Sequence, residues 1–231
     1  MLSQGSNLSI ARGATRAFTD RVAPAGVFAY LLLAQGSALW QLSTDPRGLA
    51  GWNGWLASWL LVQRTLSLAL VALVVVLFLA RGERTGPRAG TASGTVAVAG
   101  TWILALQVLA PGTDPHVTLA VPATLLLIAG NGLAISSLAC LGRSFGILPE
   151  ARALVTRGPY RWVRHPVYLG EIVAATGAVL PFLSPFSLGL LLTFAALQYW
   201  RALNEEQALL LAFPRYESYA AETWRIIPGL H

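Results

Sequence analysis

Three short stretches in the last third of the sequence carry side chains whose types and spacing could do chemistry. The first holds Gly158-Pro159-Tyr160 and then Arg164-His165-Pro166-Val167-Tyr168-Leu169-Gly170. Each proline fixes its own φ and disfavours helix at the residue before it. His165 is therefore expected in an extended or turn conformation at the mouth of an apolar run. A helix starting at Pro166 would leave free N–H groups beside it, a favourable setting for an anion. The second stretch is Arg201-Ala202-Leu203-Asn204-Glu205-Glu206, in which Arg201 and Glu205 stand at i and i+4 and share a helix face. Glu171, one turn into the preceding apolar run, is expected to face the same cavity. The third is Phe213-Pro214-Arg215-Tyr216-Glu217-Ser218-Tyr219, then Trp224-Arg225-Ile226-Ile227-Pro228. Its aromatic and charged mixture suits an amphipathic segment that lies on a membrane and caps something. Plain structural alternatives exist for each: an interface turn anchored by Arg and Tyr, an intrahelical ion pair, and a membrane-surface tail.

The elements that must position these groups follow from scarcity of charge. Only 11% of the 231 residues are charged and 55% are hydrophobic, against about 25% charged in a soluble globular chain. Charge-free runs cover 22–44, 48–63, 65–80, 89–113, 115–142 and 172–200, and four of them reach the roughly 20 residues that a membrane-crossing helix needs. The expected architecture is all-α: a polytopic membrane bundle of about six spans, near 22–42, 59–80, 94–110, 119–140, 167–182 and 186–204. The fifth is short, with Pro181 and Pro185 bracketing a tight turn, so spans five and six form a hairpin. The expected division is 1–140 for spans one to four and 141–231 for the region that carries the chemistry.

Arginine placement orients the bundle. All 16 basic residues are Arg, and with the N-terminus inside, 14 of them fall in inside segments, as the positive-inside rule requires. Outside loops keep Arg47, and Arg64 lies within the second span. The net charge of +6 is thereby read as topology rather than as a nucleic-acid surface. Residues 1–21 lack the apolar core of a signal peptide, so the first span is expected to remain as an anchor. Absence of Lys fits GC-rich coding and a bacterial inner (plasma) membrane. Cys140 is the single cysteine, which rules out an intrachain disulfide and CxxC metal or redox sites, and no metal centre is expected. Trp52, Trp55 and Trp59 read as an interfacial aromatic belt. Segment 81–93 reads as a flexible connector, and the Gly142/Gly146 spacing as a weak helix-dimerisation signal.

In order, the fragments Leu154-Val155-Thr156-x-Gly158-Pro159-Tyr160, Arg164-His165-Pro166-x-Tyr168-x-Gly170, Arg201-x-x-x-Glu205-Glu206, Phe213-x-x-Tyr216-x-x-Tyr219 and Arg225-x-Ile227-Pro228 resemble the isoprenylcysteine carboxyl methyltransferase family. That family sits within the integral-membrane methyltransferases that include phospholipid N-methyltransferases. The resemblance runs from Leu154 to Pro228, about a third of the chain, with Pro214 departing from the family's usual Gly. It implies S-adenosylmethionine held in a cytoplasmic pocket formed by the C-terminal half and closed by the tail. The implied cofactor contacts are Arg152, Ala153, Leu154, Val155, Tyr160, His165, Pro166, Val167, Tyr168 and Glu205. Arg201 would face the acceptor and anchor its carboxylate.

The residue types suit that ligand. His165 and helix-start N–H groups can receive its carboxylate, Glu205 its ammonium or a ribose hydroxyl, and Tyr160 and Tyr168 its adenine or sulfonium. A carboxylate acceptor is already anionic and needs no general base, so catalysis would rest on positioning and desolvation. An amine acceptor would need deprotonation by Glu205 or Glu206. The expected partners are a lipid or lipid-like small molecule and membrane lipids, with no nucleic acid. Two other readings remain: an NADPH-dependent membrane reductase of the sterol reductase type, which shares the His-Pro-x-Tyr turn and final Arg-x-Ile-Pro, and a non-catalytic scaffold.

Overall fold

The computed structural model describes residues 22–44, 54–80, 116–144 and 153–229. The expected third span at 94–110, the connector 81–93 and Arg152 lie outside these. Six α-helices stand in the described residues: α1 (Ala23–Thr44), α2 (Gly54–Ala80), α3 (Ala120–Leu141), α4 (Pro166–Val179), α5 (Pro185–Ala212) and α6 (Tyr216–Glu222). A 3₁₀ turn extends α4 over Leu180–Phe182. Extended pairing among the described residues is limited to one parallel bridge, between Val163 and Trp224.

Among the described residues three helical stretches are long and apolar enough to cross a membrane, Leu61–Ala80, Ala120–Ser144 and Pro185–Ala212, and Pro24–Leu33 and Pro166–Phe182 are shorter apolar helices. Five of the six expected spans therefore coincide with a helix, and two differ in length. Helix α2 begins at Gly54, and α5 continues to Ala212. The sequence from 190 to 213 contains no Gly or Pro, and its Ala, Leu, Gln and Glu are strong helix formers, so nothing ends α5 until Phe213-Pro214. At a rise of about 1.5 Å per residue, α5 is about 42 Å long. That exceeds a hydrocarbon core of about 30 Å, and one end must project beyond it. Ser184 caps the other end, its hydroxyl accepting from the Ser187 N–H at 3.1 Å, with Pro185 at the first helical position.

Consecutive helices pack against one another, α1 on α2, α2 on α3, α3 on α4 and α4 on α5. Ala25, Leu77, Phe78 and Leu138 form the core between the first three. Arg64 is exposed on α2. The tightest pairing joins α3 and α4, through small residues. A methyl group added at Gly170 would lie 2.6 Å from the Gly130 carbonyl oxygen, and one at Gly177 would lie 2.6 Å from that of Ala123. Membrane helices gain little from hydrophobicity when they associate in lipid, and close backbone approach at small residues supplies van der Waals contact instead. Polar side chains on α3 return to their own helix: Asn131 donates to the Leu127 carbonyl at 2.9 Å and Ser137 to that of Leu133 at 2.6 Å. Val121, Leu125 and Ile128 point outward.

Because α3 and α4 are antiparallel, the end of α3, the start of α4 and the end of α5 gather at one end of the bundle. At the opposite end the His116 N–H donates to the Pro181 carbonyl at 2.8 Å, closing the α3–α4 pair there. The spacing of α3 and α4 thus sets where the 158–165 turn meets α5. Gly130→Ala should destabilise the protein by about 1–3 kcal/mol through overpacking. Gly132→Ala, where an added methyl meets nothing within 4 Å, should not destabilise. Thermal unfolding of both variants in the same detergent checks the contrast.

Candidate functional site

Gly158 opens the turn that begins the site. Its φ of +62° is left-handed, and an added methyl would lie 2.7 Å from Cys140 Sγ, so both conformation and space call for glycine. Pro159 follows in a short 3₁₀ turn, Gly158–Arg161, with the Trp162 N–H donating to the Pro159 carbonyl at 3.2 Å. The chain then pairs at Val163 with the tail, and His165, at φ −125° and ψ 60°, stays out of the helical region as Pro166 requires, before α4 begins.

The tail pairs with this extended stretch. The Trp224 N–H donates to the Trp162 carbonyl at 3.2 Å, Arg164 N–H to that of Trp224 at 2.7 Å, and His165 N–H to that of Arg225 at 3.0 Å. The Tyr219 hydroxyl donates to the Tyr160 carbonyl at 2.7 Å. Arg164 Nη1 donates to the Ala220 carbonyl at 3.3 Å. Ile226 is buried against Tyr168 and Ala202, joining tail, α4 and α5.

Glu206 lies at the centre of this junction. Arg225 Nε donates to both of its oxygens, each at 3.1 Å, and His165 Nε2 lies 3.3 Å from Oε1. Arg164 Nε is also 3.3 Å from Oε1, as an ion pair without hydrogen-bond alignment. The Arg225 guanidinium is held above its usual pKa, first by its hydrogen bond to Glu206. Glu206 is therefore occupied by three basic side chains and is not free as a general base. Its neighbour Glu205 is more open. Its Oε2 accepts from the Tyr168 hydroxyl at 2.9 Å, lies 3.7 Å from His165 Nδ1, and its side chain is 32% exposed.

Glu205 lines a small cleft with an open mouth. Its walls are Leu141 and Ser144 at the end of α3, Ala153, Leu154, Val155, Tyr160 and Arg164 from the connector, Leu209 on α5, and Tyr216 and Tyr219 on α6. Burial, with Glu205 as the next cause, pushes the Tyr160 phenol well above its usual pKa. Burial likewise raises Tyr216 and pushes Tyr219 up to about 12. All three stay neutral at physiological pH.

Five of the residues the sequence pointed to, Ala153, Leu154, Val155, Tyr160 and Glu205, thus line one cleft. His165, Pro166, Val167 and Tyr168 are not among its walls; of these, His165 and Tyr168 reach Glu205 itself. The His165 ring is buried, stacked on Tyr168 with centroids 5.4 Å apart, and both ring nitrogens face carboxylates of this chain. The alternative of an intrahelical Arg201–Glu205 ion pair is not what forms. Arg201 Nη1 donates to Gln198 Oε1 at 2.8 Å, and its guanidinium stacks 4.8 Å over the Tyr168 ring. Gln198 Nε2 in turn donates to Glu171 Oε2, so Glu171 reaches Arg201 through an amide. Gln198 escaped sequence reading because it sits in a charge-free run; a polar residue inside an apolar span, three before Arg201, was the available signal. Among the described residues no group of three His, Cys, Asp or Glu is placed to hold a metal ion.

Comparison with known proteins bears on this region. Residues 118–215 match the phospholipid methyltransferase family. Over 85 residues the chain is 33% identical to protein-S-isoprenylcysteine O-methyltransferase of Dictyostelium discoideum, which covers 36% of this chain and 35% of the relative. The aligned part thus spans about a third of that relative's length. A solved structure of a eukaryotic intramembrane Ras methyltransferase, an isoprenylcysteine carboxyl methyltransferase, superposes over 100% of this chain and 87% of its own. The TM-score is 0.50 at 17% identity, a likeness of fold. The fold is thus like that of this integral-membrane methyltransferase. These likenesses support the resemblance to the isoprenylcysteine carboxyl methyltransferases read from the sequence, and the reductase reading is not favoured.

The clamp around Glu206 has a direct test. Glu206→Leu leaves the Arg164 and Arg225 guanidiniums without the carboxylate they share, a loss of about 3–5 kcal/mol for breaking a buried pair. Limited trypsin digestion should then cut the tail after Arg215 and Arg225 faster than in the wild type, and an unchanged rate would contradict the clamp.

Proposed function

We propose that the protein transfers a methyl group from S-adenosylmethionine to a lipid-like, membrane-embedded acceptor bearing a carboxylate. The observation that carries this reading is the cleft itself: the family's cofactor segment and Glu205 form its wall, and Arg201 lies one aromatic ring away, behind Tyr168. The donor set fits the cofactor. Glu205 offers a part-exposed carboxylate to an ammonium or to ribose hydroxyls, Leu154 and Val155 an apolar wall, and Tyr160 a neutral aromatic face. When bound, S-adenosylmethionine supplies a methyl group on a positively charged sulfur and departs as S-adenosylhomocysteine.

The chain's own residues do the rest. Arg201 anchors the acceptor carboxylate, one of whose oxygens forms the new bond to the methyl group as the sulfur–methyl bond breaks. Such an acceptor needs no base, and Glu206, held by three basic groups, offers none. Tyr216 and Tyr219 shield the cleft from water, and exclusion of water strengthens each charge interaction inside. Holding the reacting atoms in line supplies much of the acceleration. Arginine placement supports termini and cleft on the cytoplasmic side of a plasma membrane, with the acceptor entering sideways from the bilayer. A phospholipid amine is the second reading, favoured by the family match over 118–215; Glu205 is then the available base.

Calorimetry of purified protein with S-adenosylhomocysteine tests the cofactor. Wild type should bind, and Glu205→Ala, which removes a charged hydrogen-bond partner, should bind about tenfold or more weakly. A folded wild-type protein that does not bind would overturn the reading.

A further inference from the structure

Gln198 is fully buried in the middle of α5, and both ends of its amide are engaged. A guanidinium only donates and a carboxylate only accepts, which fixes the amide orientation: Oε1 faces Arg201 at 2.8 Å and Nε2 faces Glu171. Arg201 is thereby held on two sides, by Gln198 at Nη1 and by the face of Tyr168. Its Nε is buried and has no hydrogen-bond partner, although the residue is only 5% exposed. An unfilled donor on a buried cation is costly unless something else occupies it.

We infer that Gln198 is a positioning residue that aims Arg201 at the acceptor's anionic group while keeping Glu171 from neutralising it. This deepens the methyl-transfer reading and rests on it. A direct Glu171–Arg201 pair would use up the guanidinium, as a bidentate carboxylate pair does. The interposed amide instead passes on only a hydrogen bond, so Arg201 keeps its charge and a free edge for a carboxylate oxygen.

The test uses full-length protein in detergent micelles and two probes: S-adenosylhomocysteine for the cleft, and an S-prenylated N-acetylcysteine as a lipid-like carboxylate. Gln198→Leu should weaken binding of the carboxylate probe about tenfold to a hundredfold, the size of a lost charged hydrogen bond, with S-adenosylhomocysteine affinity within about twofold of wild type. Glu171→Gln still accepts from the Gln198 amide and should lose less than about threefold, whereas Glu171→Leu frees the amide to turn and should fall between the two. That graded order separates positioning from general loss of packing. Equal weakening of both probes by Gln198→Leu would overturn the inference, as would an unchanged carboxylate affinity. Wild type that binds S-adenosylhomocysteine but not the carboxylate probe also overturns it, leaving the cofactor reading intact. Wild type that binds neither overturns both.

Discussion

A single buried carboxylate, Glu206, ties together three stretches that are distant in sequence. It stands on α5, it is bound by Arg225 from the tail, and it is flanked by Arg164 and His165 from the turn before α4. The cleft exists only where these three stretches meet. Buried charges are expensive when unpaired and affordable when surrounded, so this junction is formed as a whole or lost as a whole. The backbone pairing of 162–165 with 224–225 and the Tyr219–Tyr160 hydrogen bond add direction to what the charges gather. Glycine contacts between α3 and α4 set the platform on which the turn rests.

Two carboxylates adjacent in sequence take different roles because α5 turns by about 100° per residue. Glu206 faces the tail and turn and is saturated with basic partners. Glu205 faces the cleft, accepts from Tyr168 and remains part-exposed. On the same helix Gln198 and Arg201 continue the polar line toward the apolar part of the span, ending at Glu171. A cleft-facing carboxylate, a buried cation and a structural clamp thus occupy fewer than three turns of one helix. Charge in this chain is scarce, and much of what lies near the cleft is organised by these few contacts.

Most of the architecture was legible in the sequence because charge-free runs of membrane length have few alternatives, and five of the expected spans coincide with helices in the structure. The end of α5 was less legible. Glu205 and Glu206 look like a point where a span should stop, yet helix propensity carries α5 on to Ala212 until Pro214 intervenes. At the site, motif order identified Ala153, Leu154, Val155, Tyr160 and Glu205 as neighbours, and they share one cleft. The division of labour among His165, Glu205 and Glu206 was not legible, because it depends on rotation about α5 and on a tail that returns from sixty residues away. Gln198 was hidden for a different reason: a neutral amide leaves no mark on a charge count.

The central claim is that the tail and the 153–165 connector together form the binding cleft around Glu205. Hydrogen–deuterium exchange of the purified protein with and without S-adenosylhomocysteine tests it most directly. The account predicts slowed exchange in both 153–165 and 216–226, with α1 unchanged. Saturating binding that leaves both segments unchanged, or protection confined to other parts of the chain, would contradict it.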